Sequence, residues 1–371
     1  VYYLDMRLTW CTTLIRCALV TICLAIMFAG SPAFAQNLPS TAWQATASVN
    51  LIIEERSFAS LGVSLNGTLY IPRAKKPVPA IVVLHSASSP TRDLPLYRHL
   101  IEMLPPLGIG VFLYDRRGSG KSGGNLATSD YSILADDAIA AQQMLAKDPR
   151  IDRRRTGFWG LSQGGWLALL AATRSSLTAF AVSVSAPLTP PDVQMNFAVA
   201  NILRIRGFSE DDVTRAVAAR TAIDEFMRGQ RDRASTQAIL DQAATHPWFE
   251  HAYLERTFSD PTESRWAKEI RHDPLETIAR VKVPALILFG TDDPWVPVQI
   301  SVERFRGRIT RRRNLTMHVV KGANHEMATT ISLKDEIDPA LFPRHCPDSP
   351  EYFGLLAAWL TRHVLAADGS R

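Results

Sequence analysis

Hydrophobic and polar positions change rhythm partway along this chain. Residues 49–72 read VNLIIEERSF and then VSLNGTLYIP, alternating as two half-buried antiparallel strands do, with Asn66-Gly67 as the expected tight bend. From residue 80 onward, short apolar runs without polar alternation are separated by helical lengths: AIVVLH (80–85), GVFLYD (110–115), RTGFWG (155–160), FAVSVSAP (180–187), ALILFG (285–290) and LTMHVV (315–320). Runs of that kind suit strands covered on both faces. Helical candidates at 131–147 and 165–174 lie between them. The alternation predicts an α/β fold: a mostly parallel central sheet, helices on both faces and right-handed crossovers.

One stretch breaks the rhythm. Between Pro187 and Pro284 no strand-like run occurs, and residues 209–229 and 231–245 read as amphipathic helices, the first with Ser209 as N-cap ahead of Glu210-Asp211-Asp212. A helical insertion there would leave from the carboxyl edge of the sheet and lie over it as a lid. The expected organisation is a targeting segment at 1–35, the first part of the α/β core at 36–187, the helical lid at 188–272 and the rest of the core at 273–371.

The targeting segment rests on Arg7 and Arg16, an apolar stretch at 17–29 and the small-residue site Ala33-Phe34-Ala35, with cleavage expected before Gln36. The stretch is shorter than the ~20 apolar residues of a spanning helix. The expected location is therefore periplasmic or secreted, without stable membrane insertion after removal of the segment. Cys11, Cys17 and Cys23 leave with the segment, so Cys346 is alone and forms no internal disulfide or zinc site.

Composition narrows the picture little further. With 46% apolar and 21% charged residues in 371, the chain is ordinary globular material, not disordered, collagen-like or disulfide-framed. A net charge of +5 is too small to indicate nucleic acid, and the basic triplets at 153–155 and 311–313 flank strand runs without interleaved aromatics.

The chemistry is concentrated in three loops. Gly160-Leu161-Ser162-Gln163-Gly164 follows one strand run and precedes an apolar helix. In that setting G-x-S-x-G presents a serine hydroxyl at a strand tip, and the free N–H groups of the next helix favour developing negative charge. Gly290-Thr291-Asp292-Asp293-Pro294-Trp295-Val296-Pro297 supplies a carboxylate at the next strand tip, Asp293 being favoured over Asp292. Lys321-Gly322-Ala323-Asn324-His325-Glu326 supplies a histidine after the last strand. Ser162 as nucleophile, His325 as base and Asp293 as orienting acid form the expected set.

These motifs resemble the α/β-hydrolase superfamily, and the chain is similar to bacterial esterases related to dienelactone hydrolases and serine aminopeptidase-like hydrolases. The acid-loop pattern G-x-x-D-x-x-V-P falls on Gly290, Asp293, Val296 and Pro297, and the turn D-x-R-G-x-G-x-S on Asp115, Arg117, Gly118, Gly120 and Ser122. The resemblance implies an oxyanion hole from the Gln163 N–H and one N–H of the loop after the third strand. That loop departs from the family's His-Gly: it reads His85-Ser86-Ala87-Ser88-Ser89-Pro90, so Ser86 replaces a glycine. Ala87 is assigned as second donor, Ser86 being the competitor, and His85 is expected to be structural. Gly118-Ser119-Gly120-Lys121-Ser122 looks like the end of a phosphate loop, but Asp115 occupies the position of the first glycine.

The expected activity is carboxylic ester hydrolysis through an acyl-enzyme, on a small-molecule substrate and without metal or organic cofactor. Amide or peptide hydrolysis by the same residues is the alternative, coenzyme A thioesters are disfavoured for an exported enzyme, and a non-catalytic binding module is a third reading.

Overall fold

The computed structural model describes residues 50–309 and 312–366; the expected targeting segment at 1–35 and its cleavage site lie outside them. The strands are β1 (Leu51–Ser60), β2 (Val63–Pro72), β3 (Val78–Leu84), β4 (Gly110–Tyr114), β5 (Ile151–Leu161), β6 (Thr178–Val184), β7 (Ala285–Gly290) and β8 (Leu315–Val320). They form one sheet in the order β1-β2-β4-β3-β5-β6-β7-β8. β2 is antiparallel to β1 and to β4, whereas β3 to β8 run parallel to one another.

Between β3 and β4 lies α1 (Arg98–Met103), before β5 comes α2 (Tyr131–Leu145), and β5 leads directly into α3 (Gln163–Arg174). The segment between β6 and β7 holds α4 (Pro191–Ile205), α5 (Glu210–Met227), α6 (Arg233–Ala243), α7 (Arg265–Glu269) and α8 (Pro274–Arg280), with no strand. After β7 come α9 (Val298–Arg308) and, beyond β8, α10 (Leu333–Glu336) and α11 (Pro350–Leu360). None of the helices among the described residues is long and apolar enough to cross a membrane.

The apolar runs are strands because both of their faces are covered. In β3, Ala80, Val82 and Leu84 pack with α2 and α3, while Ile81 and Val83 pack with α1 and α11. Each Å² of apolar surface so buried stabilises the fold by roughly 25 cal/mol, which is why the runs are predominantly apolar, with an occasional small polar residue such as the buried Ser183 of β6. β8 departs from this expectation. It is an edge strand, its side chains are mostly half-buried and His318 is exposed.

The hairpin also departs in one detail. Its bend falls at Leu61 and Gly62, both with positive φ (48° and 76°), while Asn66 and Gly67 lie inside β2 opposite Ser57 and Arg56. Gly67 is there for clearance: a Cβ would stand 2.5 Å from the Phe112 ring where β2 crosses β4. The phosphate-loop lookalike is a structural turn. It wraps the Asp115 carboxylate, which accepts the Lys121 N–H at 2.9 Å, while Arg117 pairs with buried Asp137. Ser209 caps α5 in a reciprocal capping box with Asp212, as its sequence position predicts.

The β6–β7 insertion has an apolar core of its own, built from residues such as Val199, Leu203, Val213, Trp248 and Phe249. It is also tied to the loop after β7. Gln194 Nε2 donates to the Trp295 carbonyl at 2.9 Å and Asn201 Nδ2 to the Pro294 carbonyl at 3.0 Å.

Candidate active site

Ser162 occupies the junction of β5 and α3 with φ 55° and ψ −122°, a conformation that non-glycine residues rarely adopt. The surrounding packing enforces it. A Cβ on Gly160 would stand 1.9 Å from the Gly164 carbonyl oxygen, and one on Gly164 would stand 2.2 Å from that of Leu84. Strand, turn and helix therefore fit only with glycines at those positions. The Ser162 N–H continues the sheet ladder by donating to the Val184 carbonyl at 2.7 Å. Its hydroxyl caps no backbone group of α3. Such strained residues persist where the surroundings over-determine them, and they cluster at functional sites.

The parallel pairing of β7 with β8 brings the other two loops together. Gly290 at the tip of β7 lies so close to the next loop that a Cβ would be 2.2 Å from the Ala323 carbonyl oxygen. Asp293 is buried, and its Oδ1 accepts the N–H groups of Trp295 (2.8 Å) and Val296 (3.0 Å). Its Oδ2 lies 2.8 Å from His325 Nδ1. In the neutral imidazole, with Nδ1–H donated to that carboxylate, His325 Nε2 is the free acceptor. Asp292, by contrast, is exposed and accepts from the Thr291 hydroxyl, so of the two neighbouring aspartates it is Asp293 that meets His325.

The histidine loop carries a second carboxylate that the sequence reading missed. Glu336 of α10 is fully buried and its Oε1 accepts the His325 backbone N–H at 3.0 Å. Burial and the nearby Glu326 and Asp293 push its carboxyl up. Burial alone would lower the His325 imidazole, but the Asp293 carboxylate, with Glu326 and Glu336, outweighs it and raises the value to about 9.

Ser162 and His325 line one cavity of about 300 Å³. Gln163, Ala87 and Ser86 line it too, so all the sequence-predicted site residues converge except Asp293, which sits behind His325. The Ser86 N–H is already donated to the Tyr97 hydroxyl at 3.1 Å, and Ser86 has no positive φ. The substitution for glycine is thus accommodated in ordinary backbone. Among the described residues neither the Ala87 nor the Gln163 N–H has a protein acceptor. His85 points away into the core, edge-on to the Tyr97 and Tyr114 rings, and burial keeps its imidazole well below the usual value. Cys346 is half-buried and away from the cavity.

The insertion contributes much of the cavity wall, including Pro191, Met195, Tyr253 and Trp266. Glu269 also lines it. Its carboxyl is paired with Arg265 at 2.7 Å, and burial raises it to about 7. These residues gave no sequence signal, because helical spacing alone does not tell which face meets a distant loop. A hydroxyl on a strained turn, a carboxylate-bound imidazole and free N–H groups around one cavity can together perform nucleophilic acyl transfer.

Comparison with known proteins agrees with this architecture. The chain is 28% identical over 227 residues to the thiohydrolase aneE of Aspergillus aculeatus, covering 58% of this chain and 65% of that protein. It spans less than two thirds of the length of the curated relatives it matches. Among solved structures, an esterase of Pyrococcus furiosus, Pf2001, aligns over 88% of this chain and 97% of its own with a TM-score of 0.53 at 18% identity. The α/β hydrolase GrgF from Penicillium aligns over 85% of this chain and 100% of its own with a TM-score of 0.54 at 18% identity. The family described as serine aminopeptidase, S33, matches residues 76–330. The chain is therefore an α/β-hydrolase and belongs to the serine aminopeptidase S33 family.

Proposed function

We propose that this protein is a serine hydrolase that cleaves carboxylic esters. The observation that carries the reading is Ser162 held in a strained strand–helix turn on the same cavity wall as an imidazole hydrogen-bonded to a buried aspartate. Ser162 Oγ attacks the ester carbonyl while His325 Nε2 takes its proton. Asp293 holds the imidazole in the Nδ1–H tautomer and stabilises the imidazolium. The Gln163 and Ala87 N–H groups receive the oxyanion. The tetrahedral intermediate collapses, the C–O bond to the alcohol breaks and His325 returns the proton to the leaving oxygen. Water then attacks the acyl-enzyme by the same route and frees the acid.

The cavity supports an apolar substrate of modest size, since Trp166, Trp266, Trp295, Tyr131, Tyr253 and Phe342 all line it. Thioester cleavage is the second reading, favoured by the thiohydrolase relative; the thiolate leaving group needs less help from His325. Amide cleavage follows the family's description and needs that proton most. We also infer export, supported by the apolar run and small-residue site before Gln36.

The test is a fluorophosphonate probe together with a panel of p-nitrophenyl esters, acyl thioesters and aminoacyl p-nitroanilides. Labelling at Ser162 with ester turnover supports the reading. An unlabelled, inactive and folded protein would make the cavity a binding site, and faster thioester or anilide turnover would replace the ester assignment.

A further inference from the structure

The loop that carries the second N–H donor is clamped by two side chains whose roles lie outside the expected triad. Arg116 follows Asp115 beyond β4 and is buried, with 3% of its surface exposed. Its Nη2 donates to the His85 carbonyl at 2.7 Å and the Ser86 carbonyl at 2.6 Å, and Nη1 reaches the Ala87 carbonyl at 3.5 Å. Its backbone N–H donates to the Pro90 carbonyl at 2.9 Å. The Tyr97 hydroxyl accepts the Ser86 N–H at 3.1 Å and donates to the Ser89 carbonyl at 2.7 Å.

Taken peptide by peptide, these contacts have a direction. The unit joining His85 to Ser86 is gripped at both ends, its oxygen by Arg116 and its N–H by Tyr97. The next unit, joining Ser86 to Ala87, is gripped at its oxygen alone. A trans peptide is planar with C=O and N–H opposed, so fixing the Ser86 oxygen fixes the line along which the Ala87 N–H points. A charge-assisted bond to that oxygen also polarises the unit and strengthens the N–H as a donor. Ala87 lines the cavity that Ser162 and His325 share. No carboxylate among the described residues lies in salt-bridge contact with Arg116, so its buried charge is spent on these carbonyls.

We propose that Arg116 is a positioning residue for acyl transfer: through the Ser86 carbonyl it aims and strengthens the Ala87 N–H as an oxyanion donor, with Tyr97 as the second clamp. The proposal rests on Ser162 being the nucleophile. It also accounts for how the chain manages with Ser86 in place of a glycine, since side chains rather than glycine's backbone freedom set the loop.

The experiment compares wild type with Arg116→Lys, Arg116→Met and Tyr97→Phe on the best p-nitrophenyl ester and with a trifluoromethyl ketone of the same acyl chain, which forms an oxyanion on the serine. Deleting a whole oxyanion donor costs roughly 10²–10³-fold in kcat. Misaiming one in Arg116→Met should cost roughly 10- to 100-fold, with KM little changed and ketone affinity falling in parallel with kcat/KM. Arg116→Lys should recover part of the loss, and Tyr97→Phe should lower kcat several-fold, less than additively with Arg116→Lys. If Arg116→Met fails to fold, the lysine and phenylalanine variants decide the matter. Wild-type kcat and ketone affinity in folded variants would overturn the proposal while leaving the nucleophile intact. Absence of fluorophosphonate labelling at Ser162 in wild type would instead remove the catalytic reading on which it stands.

Discussion

His325 Nδ1 and Asp293 Oδ2 stand 2.8 Å apart across 32 positions of sequence. Parallel pairing of β7 with β8 puts the carboxyl ends of both strands side by side, so two loops remote in sequence meet over the same edge. The buried carboxylate raises the imidazole to about 9. On the proposed mechanism, the imidazolium favoured below that value cannot accept the serine proton. We therefore expect kcat/KM to rise with pH from neutrality and level off near 9, and a profile flat across pH 6–9 would contradict it.

Asp293→Asn should cut kcat by roughly 10⁴-fold, because the amide supports the wrong imidazole tautomer. Asp292→Asn should stay within a few-fold of wild type, since its side chain is exposed and contacts only Thr291. Steady-state kinetics of the pair decide between the neighbouring aspartates, and a reversed order of effects would reassign the acid.

Ser162→Ala should abolish turnover and leave the fold intact. Ser162→Gly should be equally inactive and more stable than the alanine variant by about 1 kcal/mol, because glycine relieves the strained backbone at φ 55°. Urea denaturation of the two variants measures this difference. Gly164→Ala should lose about 3 kcal/mol, since its Cβ would meet the Leu84 carbonyl at 2.2 Å.

The insertion between β6 and β7 both lines the cavity and braces the acid loop, so its two contributions should separate by position. Met195→Trp, on the cavity wall, should spare p-nitrophenyl acetate and depress kcat/KM for longer esters. Asn201→Ala removes the donor to the Pro294 carbonyl beside Asp293 and should depress turnover of every ester alike. A uniform loss in the first variant, or a chain-length-dependent loss in the second, would reverse these assignments.

Expression in an exporting host should yield a mature chain beginning at Gln36, read from its intact mass. Retention of residues 1–35 in a membrane fraction would replace the targeting segment with an anchor.

Much of this protein could be read along the chain because the governing interactions are short-range or repeat at a fixed period. Burial on both faces wrote the inner strands as mostly apolar runs, and the serine turn needed glycine two positions either side of Ser162 to avoid backbone collisions. The hairpin was legible as two strands, but its bend was not, since Gly67 serves clearance against Phe112 and the turn uses Leu61-Gly62 instead. The groups that aim the site were not legible at all. Arg116 grips the His85 and Ser86 carbonyls across 31 and 30 positions because β3 and β4 are adjacent in the sheet, and Glu336 reaches the His325 N–H from a short helix beyond it. An arginine after a strand and a glutamate on a short helix look like surface residues in one dimension. Only when strand order places their neighbours within hydrogen-bond reach does burial leave each with a single set of partners, and that placement is a property of the fold, not of any local pattern.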